Sequence, residues 1–316
     1  MPDKLALRIN NLSKSYQTKS GTLQALDQIS LDIPKGSFFG LLGPNGAGKT
    51  TMINIIASLV KKTSGSIIIN GKDFDKYQTD LKYSLGIVPQ ELILDPFFTV
   101  YETLEIFASY YGIKKSQRKT LEIITALGLK EKAHNPPRSL SGGMRRRLLI
   151  AKALVHDPDI IILDEPTAGV DVELREKLWS YVTKLNKQGK TIILTTHYLE
   201  EAEELCDHIA IIDKGQIIAN DKKVNLKKIF GKKKFIIEFT KLSPQITKIL
   251  AKFGDISFNK NILTLEHKTN KLSYLDLIAS LTKINVEILN ITTKESEIED
   301  IFKNLIYNNN SSLNNT

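Results

Sequence analysis

The chain has 316 residues, of which 41% are hydrophobic and 25% charged, a composition that excludes a wholly disordered protein and allows one large and one smaller domain. The net charge of +9 comes mainly from residues 221–316, which hold 16 Lys against 10 Asp and Glu, whereas residues 1–220 hold 28 Lys and Arg against 25 Asp and Glu. No stretch has the roughly 18 consecutive apolar residues of a membrane helix, and the start lacks the apolar core of a secretory signal.

The first two hundred residues alternate apolar strands with helical periods, the pattern of a mostly parallel sheet covered by helices. Three continuous apolar runs that end in polar residues predict central strands buried on both faces. These runs are SFFGLLG (37–43), DIIILDEP (159–166) and KTIILTTH (190–197). Alternating apolar residues over 5–9 and 65–71 predict antiparallel edge strands of a smaller sheet. Helical spacing over 99–113 and 117–129 predicts a helical segment that interrupts this α/β core.

Near residue 221 the composition changes to Lys, Asn and Ile, and a second domain is predicted. Its pattern is strand, helix, strand, strand, helix, strand and a final helix, the split βαβ order. We therefore predict an α/β domain over 1–221, an accessory α+β domain of ferredoxin-like order over 222–307 and a disordered polar tail over 308–316. The helices of the accessory domain are predicted at 245–253, 273–284 and 296–306.

The basic run KKVNLKKIFGKKK (222–234) accounts for much of the charge excess. Most such runs are solvated faces, which is the simplest interpretation here. Anionic lipid headgroups or a polyanionic partner are the alternatives.

The segment LLGPNGAGKTT (41–51) lies between an apolar strand and a helical period, the setting that a phosphate-binding loop requires. Its glycines let backbone N–H groups surround an anion, and the helix beginning near Lys49 adds the positive end of its dipole. Lys49 supplies a mobile charge for the β- and γ-phosphates, and the Thr50 hydroxyl is a candidate Mg²⁺ ligand. The predicted phosphate site comprises Gly43, Asn45, Gly46, Gly48, Lys49, Thr50 and Thr51.

Two adjacent carboxylates, Asp164 and Glu165, end the second apolar run. A buried strand that ends in paired acids carries an energetic cost, which indicates a functional role beside a phosphate loop. Asp164 is predicted to face Mg²⁺ and Glu165 the attacking water of a phosphoryl transfer. His197 closes the third run on the side where parallel α/β folds bind ligands, and is predicted to bind the γ-phosphate and orient water beside Glu165.

The segment LSGGMRRR (140–147) combines the Ser141 hydroxyl with Gly142 and Gly143 at the start of a predicted helix, a position that favours an anion. With the motifs above, it resembles the signature of the nucleotide-binding subunits of ATP-binding cassette (ABC) transporters. In that family, LSGGQ of one subunit covers the γ-phosphate held by its partner. The resemblance therefore implies that Ser141, Gly142 and Gly143 are half of a shared ATP site.

Two features of this segment differ from a simple phosphate clasp. Met144 replaces the glutamine of the family, which removes a polar contact on the ribose side. Arg145, Arg146 and Arg147 are expected to form a basic stripe that faces solvent, the sheet or a partner, and direct contact of these arginines with phosphate is the less favoured alternative.

The resemblance covers roughly residues 4–225 and implies roles for three further residues. Tyr16 matches the aromatic residue that stacks on adenine. Gln90, in GIVPQE, matches the loop glutamine that reaches Mg²⁺ and relays to the membrane partner. AGVD (168–171) stands where the family has its D-loop, with Asp171 across the dimer interface.

Within the family, segments such as DEPTAGVD and TTHYLEEAEELCDHIAIIDKGQI are similar to the ABC-2 exporter branch. This resemblance implies an ATPase with ATP and Mg²⁺ as cofactors that works as a homodimer through an ATP sandwich. It also implies a separately encoded membrane permease, which selects the exported drug, lipid or polysaccharide. The single cysteine, Cys206, agrees with a reducing compartment, and we expect a cytoplasmic protein, peripheral at the inner face of the cell membrane, without a membrane span of its own.

Six aromatic residues between 97 and 111 exceed what one helix face buries, so we expect part of them to form a docking surface for the membrane subunit. The alternative is that all six pack inside the helical segment. They are Phe97, Phe98, Tyr101, Phe107, Tyr110 and Tyr111.

Two other classes of ABC protein compete with the transporter interpretation. A soluble ABC ATPase acting on nucleic acid or the ribosome resembles two fused cassettes or a cassette split by a coiled coil, and the sequence has one phosphate loop, one signature and no sustained heptads. A degenerate cassette that binds without hydrolysis is disfavoured because Glu165 and His197 are both present.

Overall fold

A computed structural model of the chain describes residues 4–19, 21–167, 172–240, 255–268, 279–280 and 288–313. The chain divides into two compact units, Met1–Asn220 and Asp221–Thr316. None of the helices in the described ranges has the length and apolar character needed to cross a bilayer.

The strands that begin in the first unit are β1 (Leu5–Thr18), β2 (Gly21–Pro34), β3 (Phe38–Leu42), β4 (Ser64–Ile69), β5 (Lys72–Asp73), β6 (Leu85–Val88), β7 (Ile160–Asp164), β8 (Thr191–Thr196), β9 (His208–Asp213) and β10 (Gln216–Lys222). Its helices are α1 (Lys49–Ile56), α2 (Gln78–Leu81), α3 (Val100–Tyr110), α4 (Thr120–Ala126), α5 (Gly142–Leu154), α6 (Val172–Lys187) and α7 (Leu199–Leu205). Short 3₁₀ turns lie at Lys82–Ser84, Lys115–Gln117, Lys130–Lys132 and Pro137–Ser139.

A six-stranded sheet with the order β10-β9-β3-β8-β7-β6 forms the centre of the first unit. The three predicted central strands are confirmed as β3, β7 and β8, which pair in parallel and are buried along their whole length. In this register Leu42 lies beside Thr196, and Asp164 lies beside Thr195. Because parallel strands end at the same edge, the residues that follow β3, β7 and β8 meet there.

A four-stranded antiparallel sheet has the order β2-β1-β4-β5. The prediction of antiparallel strands over 5–9 and 65–71 is confirmed, but their position at the edge is wrong, because β1 and β4 are the inner strands. The long β2, which the sequence analysis did not identify, pairs along β1 and occupies the edge. Register shifts and the left-handed backbone of Gln28 (φ 47°) interrupt the alternation of β2, which obscures its pattern in the sequence.

The predicted helical segment is confirmed as α3 and α4. Helix α3 begins with a capping box in which the Thr99 hydroxyl accepts from the Glu102 N–H and the Glu102 carboxylate accepts from the Thr99 N–H. A half-buried ion pair between Arg118 and Glu105, at 2.6 Å, fixes the chain that leads from α3 to α4.

The second unit contains a four-stranded antiparallel sheet with the order β12-β13-β11-β14. Its strands and helices are β11 (Lys232–Phe239), β12 (Asp255–Asn259), β13 (Ile262–Lys268), β14 (Ile288–Glu295), α8 (Lys223–Phe230) and α9 (Ile298–Leu313). This strand order is the one that the split βαβ pattern predicts. The predicted helix over 245–253 lies outside the described residues, as does the helix over 273–284 except for residues 279–280, which are helical.

The basic run 222–234 forms the end of β10, helix α8 and the start of β11. Leu226 is buried, whereas Lys222 and Lys228 are exposed, which agrees with a solvated basic face. Another segment of the second unit differs from expectation. Helix α9 continues to Leu313, inside the segment for which the sequence predicts disorder. The buried Ile298 and Ile301 anchor its first turn, and extending a formed helix adds one backbone bond for each residue fixed.

Candidate active site

The loop between β3 and α1, called the cradle below, turns tightly at two glycines. Gly46 (φ 80°) and Gly48 (φ 111°) adopt left-handed conformations, which favour glycine. At Gly48 a Cβ would lie 2.7 Å from the Ala25 carbonyl oxygen, so a side chain has no room there. Gly48 is also the N-cap residue of α1, which places the positive end of the helix dipole at the loop.

Lys49 lies inside this cradle with its side chain buried. Its Nζ donates to the carbonyl oxygens of Gly43 at 2.7 Å and Pro44 at 3.0 Å. Burial lowers the pKa of Lys49, and the nearby charges of Glu165 and Asp164 act in the opposite direction. The ammonium group is therefore held by neutral acceptors that an anion can replace.

A cavity of about 670 Å³ opens over the loop. It brings together most of the residues predicted to bind nucleotide or catalyse hydrolysis, together with three unexpected residues from β2. Its walls comprise Tyr16, Leu23, Gln24, Ala25, Asn45, Gly46, Ala47, Gly48, Lys49, Thr50, Thr51, Gln90, Glu165 and His197. Of the remaining predicted residues, Gly43 lies at the loop entrance, where a Cβ would be 2.3 Å from the Ile212 carbonyl oxygen.

Tyr16, on β1, lines this cavity. The Nζ of Lys14 lies 4.6 Å from the centre of the Tyr16 ring, within the range of a cation–π contact. Leu23 of β2 belongs to the wall of the same cavity. This arrangement provides an apolar surface suited to a flat ring such as adenine.

Asp164 is the last residue of β7 and only 2% exposed. Its carboxylate accepts hydrogen bonds from the hydroxyls of Thr195 and Thr50. Burial raises the pKa of Asp164, and the neighbouring negative charge of Glu165 adds to the increase. The bonds from the two threonines oppose this rise without cancelling it.

Glu165 follows Asp164 in a left-handed backbone conformation, with φ 47°. Such a conformation is uncommon for a residue with a side chain and costs on the order of 1–3 kcal/mol unless its surroundings impose it. The Glu165 N–H donates to both the carbonyl and the hydroxyl oxygen of Thr195, each at 3.1 Å. This turn directs the Glu165 side chain away from the strand and into the cavity.

Two side chains contact the Glu165 carboxylate inside the cavity. Gln90 Nε2 donates to Glu165 Oε2 at 3.1 Å, and His197 Nδ1 lies 3.3 Å from the same oxygen. The imidazole ring also packs against the Tyr198 ring, with 4.1 Å between ring centres. Gln90, Glu165 and His197 therefore form one polar cluster, which is the arrangement that the sequence interpretation requires.

The oxygen donors at this cluster suit a magnesium ion. Thr50, Asp164 and Gln90, the three predicted ligands, offer hydroxyl, carboxylate and amide oxygens, which are the donor types that Mg²⁺ prefers. Within the described part of the chain, no group of three His, Cys, Asp or Glu residues forms a complete metal site. A magnesium ion here would thus need oxygen ligands from a phosphate substrate or water.

The signature segment lies elsewhere. Ser141 is the N-cap residue of α5, and its hydroxyl accepts from the Met144 N–H at 3.3 Å. Ser141 and Gly142 are exposed, and Gly143 is half-buried. None of the three belongs to the described walls of the cavity. Asp171, the remaining predicted residue, and the rest of AGVD (168–171) lie outside the described residues.

The expected basic stripe after the signature is only partly present. Arg145 is exposed, whereas Arg146 and Arg147 are 3% and 6% exposed. Arg147 donates to the carbonyl oxygens of Leu127 and Gly128 at 2.6 and 3.2 Å. Both buried arginines donate hydrogen bonds to backbone carbonyls. These bonds compensate for burying the two guanidinium groups.

Several residues that shape the site are not among those predicted from the sequence. Gln24 and Ala25 line the cavity because β2 passes beside the loop. Since β2 was not predicted from the sequence, these two residues were not expected there. Thr195 binds both carboxylate residues, and its position in TTH beside a predicted ligand-binding edge was the available signal. Glu201, 4% exposed, accepts hydrogen bonds from Thr167 and Thr196, and no sequence pattern indicates these contacts.

Comparison with known proteins identifies relatives that are ATP-binding proteins of ABC transporters. The ABC transporter family profile matches residues 26–168. The linearmycin resistance ATP-binding protein LnrL of Bacillus subtilis is 35% identical over 308 residues, covering 95% of this chain and 97% of LnrL. The Nod factor export ATP-binding protein I of Cupriavidus metallidurans is 41% identical over 218 residues, covering 68% of this chain and 71% of that protein.

A solved structure of an ATP-binding cassette is also similar to this chain. A dimeric ATP-binding cassette in a post-hydrolysis state, bound to ADP and Pi, superposes with a TM-score of 0.62 and 29% identity. The superposition covers 68% of this chain and 98% of that cassette.

Proposed function

The chain belongs to the ATP-binding subunits of ABC transporters and so is an ATPase, and from that premise we propose that it energises an ABC-2 type exporter as a homodimer. The observation that carries this proposal is the composition of the cavity. One chain supplies a phosphate loop, a glutamate, a glutamine and a histidine, whereas its own Ser141 and Gly142 are exposed and its Ser141–Gly143 segment lies outside the cavity.

The phosphate loop binds the triphosphate. Backbone N–H groups around Gly46 and Gly48 face the anion, and Lys49 exchanges its two carbonyl acceptors for phosphate oxygens. Tyr16 stacks on the adenine ring. Thr50, Asp164 and Gln90 would hold Mg²⁺, which would neutralise phosphate charge when bound.

Glu165 serves as the general base for the attacking water. Its carboxylate accepts the proton as the water oxygen attacks the γ-phosphorus and the bond to ADP breaks. Gln90 and His197, which both contact the Glu165 carboxylate, fix its direction and orient the water. Phosphoryl transfer needs mainly such positioning and charge neutralisation, which these side chains provide.

A second copy completes the site. Ser141 lies at the N-terminus of the thirteen-residue helix α5, with its hydroxyl and the Gly142 backbone accessible. In the proposed dimer, this segment covers the γ-phosphate bound by the partner, and ATP joins the two copies. Hydrolysis removes the shared phosphate and lets the dimer open, which is the conformational change available to a transporter.

The proposed membrane partner is a separate permease subunit at the inner face of the cell membrane. Of the six aromatic residues between 97 and 111, Phe97, Phe98 and Tyr110 are exposed by 86%, 41% and 75%. Exposed aromatic side chains that follow Gln90 in the sequence suit the docking of a helix from a membrane subunit that responds to the nucleotide. The names of LnrL and of the Nod factor export protein support export as the direction of transport.

The first prediction tests the catalytic assignment by comparing two substitutions in the phosphate site. Glu165→Gln should retain ATP binding and lose at least ~100-fold in kcat, because it removes the base and leaves the cradle intact. Lys49→Ala should instead weaken ATP binding at least ~10-fold, because it removes the charge inside the cradle. Steady-state phosphate release and nucleotide binding measure the two effects. Wild-type turnover in Glu165→Gln would refute the assignment of the base.

A further inference from the structure

Arg146 connects two loops of the candidate site by its guanidinium group. Its Nε donates to the Pro166 carbonyl at 3.1 Å and its Nη2 to the Glu165 carbonyl at 2.6 Å. Its Nη1 donates to the carbonyls of both Pro89 and Gln90 at 2.8 Å. One buried side chain on α5 therefore binds the backbone on either side of the Gln90–Glu165 contact.

The geometry of these bonds requires an arginine. A guanidinium group carries five N–H donors in a rigid plane, so it can bind four carbonyls at fixed angles, whereas an ammonium group offers three donors from one point. Burial lowers the pKa of Arg146, and the charges of Asp164 and Glu165 raise it. The two carboxylates thus help to keep the buried guanidinium charged.

The Glu165 backbone gives this connection a mechanical role. Its left-handed conformation, with φ 47°, lacks intrinsic stability and depends on the contacts around it. Thr195 binds the N–H side of Glu165, and Arg146 binds the carbonyl side. Without Arg146, the turn loses its contact on the carbonyl side and the carboxylate can rotate away from Gln90.

The helix that carries Arg146 also carries the signature. Ser141 caps α5, and Arg146 lies five residues further along the chain, which corresponds to about 7.5 Å along a helix axis. Both positions belong to one rigid element whose first residues are exposed and whose Arg146 side chain is buried in the site.

We propose that Arg146 is a positioning residue that ties α5 to the backbones of Gln90 and Glu165 and so sets the Gln90–Glu165 pair relative to the signature end of the helix. The inference rests on the proposed function for the role of Glu165 as the base. In the dimer, the nucleotide bound by the partner contacts Ser141. A displacement of Ser141 is then transmitted through α5 and Arg146 to Glu165 of the same chain.

Arg147 supplies a matched control for Arg146. It is adjacent on α5, similarly buried and also binds carbonyls, but those of Leu127 and Gly128, away from Gln90 and Glu165. Replacing either arginine by methionine keeps an unbranched apolar stem of similar length and removes the guanidinium donors. An effect specific to the active site should separate the two variants, whereas a general loss of stability should not.

The first measurement uses amide hydrogen exchange in the full-length, nucleotide-free protein. Arg146→Met should accelerate exchange in residues 86–92 and 163–168 by about tenfold or more. The free energy of local opening falls because opening no longer requires the Arg146 hydrogen bonds to break. Arg147→Met should leave these two segments near the wild-type rate. Unchanged exchange there in a folded Arg146→Met protein, or equal acceleration in both variants, would overturn the proposal.

The second measurement separates turnover from binding. Arg146→Met should lower kcat about tenfold or more with the ATP dissociation constant changed less than about threefold, and Arg146→Lys should give an intermediate kcat because it retains the charge but not the planar donors. Should Arg146→Met not fold, the lysine variant decides both measurements. A kcat loss as large in Arg147→Met as in Arg146→Met contradicts the inference.

Failure of the proposed function gives a different result. A folded wild-type protein with no Mg²⁺-dependent ATPase activity would remove Glu165 as a base, whereas the exchange measurement requires no catalysis. The difference in exchange between the Arg146 and Arg147 variants would then still decide whether Arg146 fixes the two loops.

Discussion

At the residue scale, the site combines groups that are costly to bury with contacts that offset the cost. Asp164 is nearly inaccessible and its pKa is raised by burial and by Glu165, yet it is bound by two threonine hydroxyls. Glu165 has a left-handed backbone, imposed by Thr195 and Arg146. Such concentrations of strain and buried charge are typical of functional sites.

We therefore predict that Asp164→Asn is more stable than the wild type by about 1 kcal/mol at pH 7, while losing hydrolysis. The folded pKa of Asp164 is raised above its ordinary value of 3.8, so the wild-type chain carries a penalty that is complete above the folded pKa and disappears as the carboxyl is protonated. Thermal unfolding of both proteins between pH 4 and pH 8 tests this. The advantage of the variant should shrink toward pH 4, and a constant difference over this range would contradict the assignment to Asp164 ionisation.

At the element scale, the ends of three strands and the beginnings of two helices determine the site. The parallel strands β3, β7 and β8 end at one edge and place the phosphate loop, the two carboxylates and His197 together. Helix α1 begins at the loop with Gly48, and only a glycine can occupy this position without backbone strain or a steric clash. Helix α5 begins with an exposed cap, Ser141, and continues into the buried arginines.

The exposed beginning of α5 leads to a prediction for dimer formation. In a Glu165→Gln background, Ser141→Arg should abolish ATP-induced dimers, because a long charged side chain cannot fit against the phosphate of a partner. Light scattering with and without ATP measures the effect.

Ser141→Ala is the control, because it loses the cap to the Met144 N–H, at a cost of about 1 kcal/mol, and adds no bulk. We expect Ser141→Ala to dimerise, with ATP binding to monomers unchanged in both variants. Stable ATP-induced dimers of Ser141→Arg would exclude the ATP sandwich.

At the scale of the whole molecule, the first unit contains the six-stranded sheet and one four-stranded sheet, and the second unit contains the other four-stranded sheet. The nucleotide motifs present in the described residues belong to the first unit. The charge excess belongs to the second, in which α8 and β11 contain the basic run. The exposed aromatic residues around Phe97 belong to the first unit again, close in sequence to Gln90. This distribution favours a membrane partner that docks on the first unit.

A crosslinking experiment tests this docking surface. Cys206 is the only cysteine and is buried, so a Cys206→Ser background accepts one reporter cysteine. Phe97→Cys should crosslink to a membrane protein in native membranes, because Phe97 is 86% exposed within the proposed surface.

Tyr307→Cys, on α9 of the second unit and 74% exposed in the wild-type side chain, is the control for accessibility. Its yield should be at least about fivefold lower than that of Phe97→Cys. Crosslinks from Tyr307→Cys with none from Phe97→Cys would transfer the docking site to the second unit.

The sequence by itself determined the parallel strands and the identity of most residues in the cavity. Continuous apolar runs require burial on both faces, and the glycines, Lys49, the paired acids and His197 follow these runs at positions that parallel pairing brings together. Such signals are local: they depend on the period of apolar residues and on backbone conformations that few residue types adopt.

Only the tertiary structure decided which residues support those in the cavity. It placed β2 beside the phosphate loop, made β1 and β4 inner strands, and turned two arginines of the expected basic stripe into buried donors. The carbonyls that bind Arg146 lie 19 to 57 residues away along the chain, and a carbonyl is the same in every residue type. A sequence pattern therefore contains no mark of these acceptors, because the contact exists only after β6, β7 and α5 have packed together.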